Sequence, residues 1–277
     1  MLYLCATPIG NLSDISNRII DTLNEVDLIA AEDTRNSIKL LNHFEIKTPM
    51  TSYHEYNKYD KAAELIEKMQ TGVQVALITD AGTPAISDPG EVLVKMCHEA
   101  GVKVTSLPGP CACITALTLS GLPTRRFCFE AFLPSDKKER KEILEELKNE
   151  TRTIIIYEAP HHLLSTLKEL KEALNESRRI TLCRELTKKF EEVMPTTLAE
   201  AVGYYEENDP KGEYVLVIEG KDRAEIKQAA IDKWAEISIE EHMKKYEEKG
   251  YDRKEAMKAV AKDRGVSKRE IYDYLNK

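Results

Sequence analysis

Neither GxxxxGK(S/T) nor GxGxxG occurs anywhere among the 277 residues. Their absence excludes the common glycine-rich grips on nucleoside phosphates. No apolar run reaches membrane-spanning length. The opening MLYLCATPIG has neither a basic n-region nor a long apolar stretch, so no signal peptide is expected and the expected location is cytoplasmic. The six cysteines, Cys5, Cys97, Cys111, Cys113, Cys128 and Cys183, form no CxxC pair and show no metal-ligand spacing. They are expected to be reduced and mostly buried, and no metal is expected. Positive charge is scarce too: the net charge of −8 excludes a globally basic coat for nucleic acid.

The composition that remains is globular, with 42% hydrophobic and 32% charged residues, enough apolar material for a full core. The length suggests two or three domains. Charge is uneven along the chain. Residues 250–277 carry eight Lys or Arg against five Asp or Glu, a net of +3, which leaves −11 for residues 1–249. A basic end on an acidic body suits an RNA or DNA partner; it equally suits a solvated helical surface.

The stretch from Leu77 to Gly90, LITDAGTPAISDPG, organises the chain. The apolar run Val75-Ala76-Leu77-Ile78 feeds into it and a helical pattern from Glu91 to Met96 follows, so the order is strand, loop, helix. Open α/β sheets place ligands at such strand ends. Gly82 can adopt positive φ and admit close backbone approach, and Pro84 and Pro89 stiffen the loop. With Asp80 and Asp88 and no Lys or Arg, the loop suits a neutral or cationic ligand better than a polyphosphate. A plain connection is the other reading. A second loop, Pro108-Gly109-Pro110, follows the strand 102–107 and opens a helix of small residues at Cys111 and Ala112, whose free N–H groups can bind acceptors.

In chain order, strands are expected at 2–6, 27–31, 49–54, 75–78 and 102–107, alternating with helices, which predicts a mostly parallel, three-layer domain. Ser13 or Asp14 is expected to cap the first helix, with Ile15, Ile19 and Leu23 inward. Glu32-Asp33-Thr34-Arg35 after the second strand reads either as substrate-facing chemistry or as a cap with a salt bridge. Residues 122–141 read as a crossing between domains. The second half has strands at 153–157, 179–183 and 213–220, with a helix expected over 195–205, and suggests an α/β domain of five or so strands. From Ala224 on, capping boxes at Ser238–Glu241 and Ser267–Glu270 frame a helical region. A Gly265-containing turn suggests a helix-turn-helix-like module carrying Lys268 and Arg269 on its last helix; a plain packing unit is the other reading. The expected domains are 1–121, 122–223 and 224–277.

Six motifs occur in order: ATPIGNL, EDTR, DAGTPAISDPG, PGPCA, YEAPHH and RELTKKFEE. Together they resemble the tetrapyrrole methylase superfamily, and within it the cytidine 2′-O-methyltransferases of bacterial small-subunit ribosomal RNA. The resemblance covers residues 1–220 and extends into the tail. It implies two α/β domains with S-adenosylmethionine in the cleft between them, plus a small all-helical C-terminal module. Relatives commonly carry Ser at Cys111 and often Arg at His162, so this chain loses a hydroxyl and a fixed charge there. By resemblance, Ala81, Gly82, Pro84, Ile86, Cys111, Ala112, Tyr157, Glu158, Leu186, Gly212 and Glu213 touch the cofactor, Asp80 supplies an acid for its amine or hydroxyls, and Pro8 lies near its methyl group. The implied reaction is in-line transfer to a ribose 2′-oxygen in small-subunit ribosomal RNA, by a homodimer. Glu32, Asp33 and Glu185 are the candidate bases. Arg35, Lys188, Lys189, Lys268 and Arg269 are the candidate RNA contacts. The alternatives are a porphyrinoid C-methyltransferase of the same fold and a non-catalytic RNA-binding scaffold.

Overall fold

The computed structural model describes residues 1–276. Its first sheet is entirely parallel, in the order β3-β2-β4-β1-β5, from strands β1 (Leu2–Cys5), β2 (Leu28–Ala31), β3 (Met50–Ser52), β4 (Val75–Ile78) and β5 (Val104–Leu107). Helices α1 (Asn17–Glu25), α2 (Thr34–His43), α3 (Lys58–Gln70) and α4 (Gly90–Glu99) alternate with them. The unbroken apolar run of β4 has its cause here. Ala76 and Ile78 face one core with Ile19, Leu23 and Ile29, while Val75 and Leu77 face the other with Leu65, Met69 and Leu93. A strand covered on both faces has no polar side to show. Burying each such Leu or Ile contributes about 1.5–3 kcal/mol.

The chain leaves β1 toward one side of the sheet and leaves β4 toward the other, because β5 lies beyond β1. The carboxyl ends of adjacent β1 and β4 therefore flank a topological switch point, where such sheets bind ligands.

The second sheet is mixed, in the order β6-β7-β10-β8-β9. Its strands are β6 (Phe127–Phe132), β7 (Thr153–Glu158), β8 (Arg179–Arg184), β9 (Glu192–Thr197) and β10 (Tyr214–Ile218). Only β6 and β7 run parallel; the other pairs are antiparallel. Helix α5 (Ala112–Leu119) follows β5 and packs its Cys113, Ala116 and Leu117 onto Ile155, Cys183, Val215 and Val217 of this sheet. Then come α6 (Lys137–Leu147), α7 (Pro160–Leu174) and α8 (Leu198–Glu207). The two sheets belong to one compact unit, Met1–Leu144 with Thr153–Glu219.

The other unit, Glu145–Arg152 with Gly220–Lys277, holds α9 (Arg223–Ala235), α10 (Ile239–Glu247), α11 (Arg253–Asp263) and α12 (Lys268–Leu275). Both expected capping boxes form, and Asp252 with Glu255 adds a third. Met243, Ala256, Val260 and Ile271 make the core of this unit.

Three local expectations are corrected. Ser16 caps α1 by accepting from Ile19 N, while Leu12–Asp14 forms a separate 3-10 turn capped by Asn11. The segment read as a crossing contains β6. The helix expected from Pro195 starts at Leu198, because Glu192–Thr197 is β9 and Thr197 supplies the capping box.

Candidate functional site

Hydrogen bonds stitch together the loops at the carboxyl ends of the first sheet. Thr7 N donates to Gly82 O at 2.9 Å, and Gly82 N donates back to Thr7 O at 3.0 Å. Thr7 Oγ1 donates to Thr79 O at 3.1 Å. Thr83 Oγ1 reaches the third loop by donating to Pro110 O at 2.8 Å. Gly82 takes φ +88°, and a Cβ there would sit 3.3 Å from Ile9 Cγ2. So the backbone conformation here favours glycine, and an added Cβ would press on the Ile9 side chain. Asp88 is spent inside its own loop: its two oxygens accept from Ala85 N and Gly90 N, each at 2.8 Å. That holds Ala85 at φ +64°.

The acids after β2 divide. Asp33 caps α2 and grips Arg35, accepting from its N at 2.8 Å, its Nε at 3.1 Å and its Nη2 at 2.7 Å. The Arg35 hydrogen bonds hold the Asp33 carboxyl down at about 2. Glu32 instead faces inward and accepts from Thr79 Oγ1 at 2.6 Å. Asp80 accepts from Asp33 N at 3.3 Å and Asn36 Nδ2 at 3.2 Å.

The second sheet contributes a side-chain network. Glu185 and Thr187 adopt φ +51° and +66°, and a β-branched residue in that region is a strained one. The resulting turn aims Lys188 Nζ at Glu185 Oε1 (2.9 Å) and Glu213 Oε2 (2.8 Å). Glu213 N donates to Glu185 Oε1 at 2.9 Å. Burial pushes the Glu185 carboxyl up, but its bonds from Lys188 and Glu213 N outweigh that and leave it lowered. Burial likewise pulls the Lys188 ammonium down, and the two carboxylates more than reverse it. Gly212 lies against this network at φ +80°, where a Cβ would come 2.6 Å from Glu185 Cδ. Asn11 N donates to Thr187 Oγ1 at 3.1 Å, joining the first loop of one sheet to the turn of the other.

Between these walls lies a cavity of about 440 Å³, within the range of small-molecule sites. Its lining includes Asp80, Ala81, Gly82, Ile86, Cys111, Ala112, Tyr157, Glu158, Leu186 and Glu213 from the expected cofactor set. Pro8, Pro84 and Gly212 lie outside that lining; Pro84 borders a more open depression beside α4. Of the expected bases only Glu32 lines the cavity. Asp33 is turned to Arg35, and Glu185 stands behind Lys188. Of the expected RNA contacts, Lys188 lines it, while Arg35 and Lys189 are exposed outside it. Lys268 and Arg269 sit on α12 in the other unit. Glu158 is nearly fully buried, and its oxygens accept from Ala159 N at 2.8 Å and Thr166 Oγ1 at 2.5 Å. Tyr157 accepts from Cys113 N at 3.1 Å, with its ring edge-on to Phe132 at 5.6 Å.

Sequence reasoning missed Ile9, Thr79, Phe132, Cys183, Tyr214 and Val215, which also line the cavity. Phe127 and Phe129 alternate as in a strand, but a register shift before Phe132, with Ala131 at φ +51°, puts Phe132 out of that alternation.

The lining tests the fit of an adenosine-bearing sulfonium. Ile9, Ala81, Leu186 and Val215 give apolar walls, Glu32, Asp80 and Glu213 give acceptors, and α5 begins at the wall with its N–H groups. Lys188 is the one Lys or Arg among the described lining residues. Such a donor set favours a ligand that is cationic at its centre and zwitterionic at one end. Fold and cavity together are those of an α/β protein with a small-molecule-sized cavity at its switch point. The chain belongs to the Tetrapyrrole (Corrin/Porphyrin) Methylases, whose pattern matches residues 1–202. It is a methyltransferase, and its methyl donor is S-adenosylmethionine.

The chain is 46% identical over 275 residues to a Ribosomal RNA small subunit methyltransferase I of Synechocystis sp., covering 98% of this chain and 96% of that relative. It is 47% identical over 273 residues to the protein of that name from Bacillus subtilis, covering 99% and 93%. Among solved structures, uroporphyrin-III C-methyl transferase from Thermus thermophilus complexed with S-adenyl homocysteine superposes with a TM-score of 0.54 at 16% identity, covering 79% of this chain and 96% of that one. The last likeness is one of fold.

Proposed function

We propose that the chain methylates the 2′-hydroxyl of a cytidine ribose in small-subunit ribosomal RNA. The observation that supports this most is the match to relatives of that ribosomal name, at 46–47% identity and over 98–99% of the chain, the basic helical tail included. S-adenosylmethionine supplies an activated methyl group, so the protein's part is positioning and proton removal. Positioning alone is worth roughly 7–11 kcal/mol when reactants are well oriented.

The stitched loops of the first sheet hold the donor: Gly82 and Ala81 by backbone, Cys111 and Ala112 at the start of α5, and Asp80 through its carboxylate. Glu32 is the base best placed for the 2′-hydroxyl proton. It lines the cavity, and its only hydrogen bond among the described residues is the one from Thr79. Asp33 serves as cap and ion-pair partner. Lys188 meets the phosphate beside the target ribose, with Glu185 and Glu213 holding it in place beforehand. Phe132, exposed at the mouth, gives a splayed base a surface to stack on. Arg35, Lys189, Lys268 and Arg269 extend the contact to the RNA backbone. The working division of the chain is 1–121 and 122–223 around the donor and 224–277 toward RNA, acting as a cytoplasmic homodimer.

The test is transfer of radiolabelled methyl from S-adenosylmethionine to isolated small ribosomal subunits, with the RNA digested to nucleosides. Label in 2′-O-methylcytidine is the expected result. Label in another nucleoside, or none with donor binding intact by calorimetry, rejects this substrate.

A further inference from the structure

We infer that Cys111 and Cys113 form a reversible thiol–disulfide site in the wall of the donor cavity, oxidised by small disulfides and reduced by small thiols. The two sulfurs lie 3.4 Å apart, within hydrogen-bond reach of each other. A disulfide needs about 2.05 Å, so closure asks for side-chain rotation and a small shift at the first turn of α5. Cys111 lines the cavity and is half-buried, so a reagent entering the donor site meets its sulfur. Cys113 is buried behind it.

The other cysteines give the contrast. Burial pushes the thiols of Cys5 and Cys183 up to about 12 and that of Cys97 to about 11. Cys111 goes the other way, to about 6. The Cys113 thiol stabilises its charge by hydrogen bonding, and the N–H groups of Ile114 and Cys113 help against the opposing effect of burial. The same pairing pushes Cys113 up. One sulfur is thus the nucleophile and the other the resolving thiol, the division of labour that thiol exchange requires.

The chemistry balances with one disulfide consumed. The Cys111 thiolate attacks a sulfur of oxidised glutathione, forms a mixed disulfide and expels one glutathione thiolate. Cys113 then attacks the Cys111 sulfur, gives up its proton to solvent and expels the second thiolate, which is protonated. Two protein thiols are oxidised by two electrons, and one glutathione disulfide becomes two thiols.

The closed form alters the cavity in two places. Cys111 is itself lining. Cys113 N holds the Tyr157 hydroxyl, and Tyr157 also lines the cavity. This consequence rests on the cavity being the donor site. Pulling the turn away from Tyr157 removes the hydrogen bond that fixes this lining ring, and donor affinity falls about tenfold.

The test uses the full chain, oxidised glutathione as the probe, intact-mass and peptide mapping, and calorimetry with S-adenosylhomocysteine. The expected product is the wild-type chain less two hydrogens, linked 111 to 113, with affinity about tenfold lower and restored by dithiothreitol. Cys113→Ala and Cys113→Ser should each stop at a glutathione adduct on Cys111, and Cys111→Ser should not react at this turn. A lasting glutathione adduct on wild-type Cys111, or no reaction there, overturns the site. A 111–113 disulfide with unchanged affinity overturns its coupling to the cavity. Failure of the reduced wild type to bind S-adenosylhomocysteine rejects the donor-site reading instead, and the mass result then stands by itself.

Discussion

The two walls of the cavity are built by different means. The first sheet offers mostly backbone: Thr7 and Gly82 tie two loops together through main-chain N–H and C=O groups, and the Thr83 hydroxyl adds the Pro110 carbonyl of the third. The second sheet offers side chains: Lys188 between Glu185 and Glu213, on a turn with two residues at positive φ. Main-chain stitching stays the same whether a ligand is bound or free, which suits a co-substrate met in one fixed shape. An ammonium shared by two carboxylates can exchange one of them for a phosphate, which suits a polyanion that arrives and leaves. The difference predicts that breaking the Lys188 network alters mainly the acceptor reaction, while changing the backbone geometry of the first sheet's loops alters mainly donor binding.

The largest effect should come from Glu32→Gln, which keeps size and the Thr79 contact but not the base. Turnover should fall by about 10²–10⁴-fold, with S-adenosylhomocysteine affinity nearly unchanged by calorimetry. Equal loss of donor affinity would move Glu32 to the donor side of the comparison. Next is Lys188→Met, which removes the ammonium and leaves two carboxylates facing the RNA. The KM for ribosomal subunits should rise about tenfold, or about 1.4 kcal/mol, with a smaller change in donor binding. The reverse split would show that Lys188 serves the donor. Gly82→Ala tests the first wall. A residue with a side chain at φ +88° costs about 1–2 kcal/mol, and the new methyl presses on Ile9. Donor affinity and thermal midpoint should both fall, while the subunit KM at saturating donor stays.

The first wall was also the more legible one. Its strands are short apolar runs ending in Gly, Pro and Asp, and its parallel order follows from strands alternating with helices. The second sheet hid its two edges. Phe127–Phe132 stands between Pro123 and Pro134 and carries a charge in its middle, so it reads as a link. Glu192–Thr197 contains Pro195, which suggests a helix start. Pro195 is tolerated because β9 pairs with β8 alone, leaving its other edge without ladder bonds to lose. At the site, motif reading reached loop residues such as Asp80 and Gly82. It missed Cys183 and Val215, which reach the cavity from strands that sequence shows only as core. It also had no means of separating Glu32 from Asp33. Their roles depend on which one meets Arg35 and which one meets Thr79, 47 residues away.

The smallest effect concerns acid. The Glu185 carboxyl is lowered in the folded chain, with its bonds from Lys188 and Glu213 N overcoming burial. An unfolded glutamate titrates at about 4.3. Above that value both states are ionised and the network contributes fully. As pH falls below it the unfolded chain takes up the proton first, so stability declines, and the contribution is gone once pH has passed the lower folded value. Glu185→Gln cannot titrate, so the gap in thermal midpoint between wild type and variant should be greatest near neutral pH and narrow as pH falls below about 4.3. A partly exposed pair of this kind is worth about 1 kcal/mol or less, so the gap amounts to a few degrees at most. Salt should shrink it in the same way, since screening weakens the second wall's ion pairs and leaves the first wall's main-chain bonds alone. Midpoint curves that stay parallel from neutral to acid pH would mean that the Lys188 network carries no stability, and that the second wall, like the first, is held by its backbone.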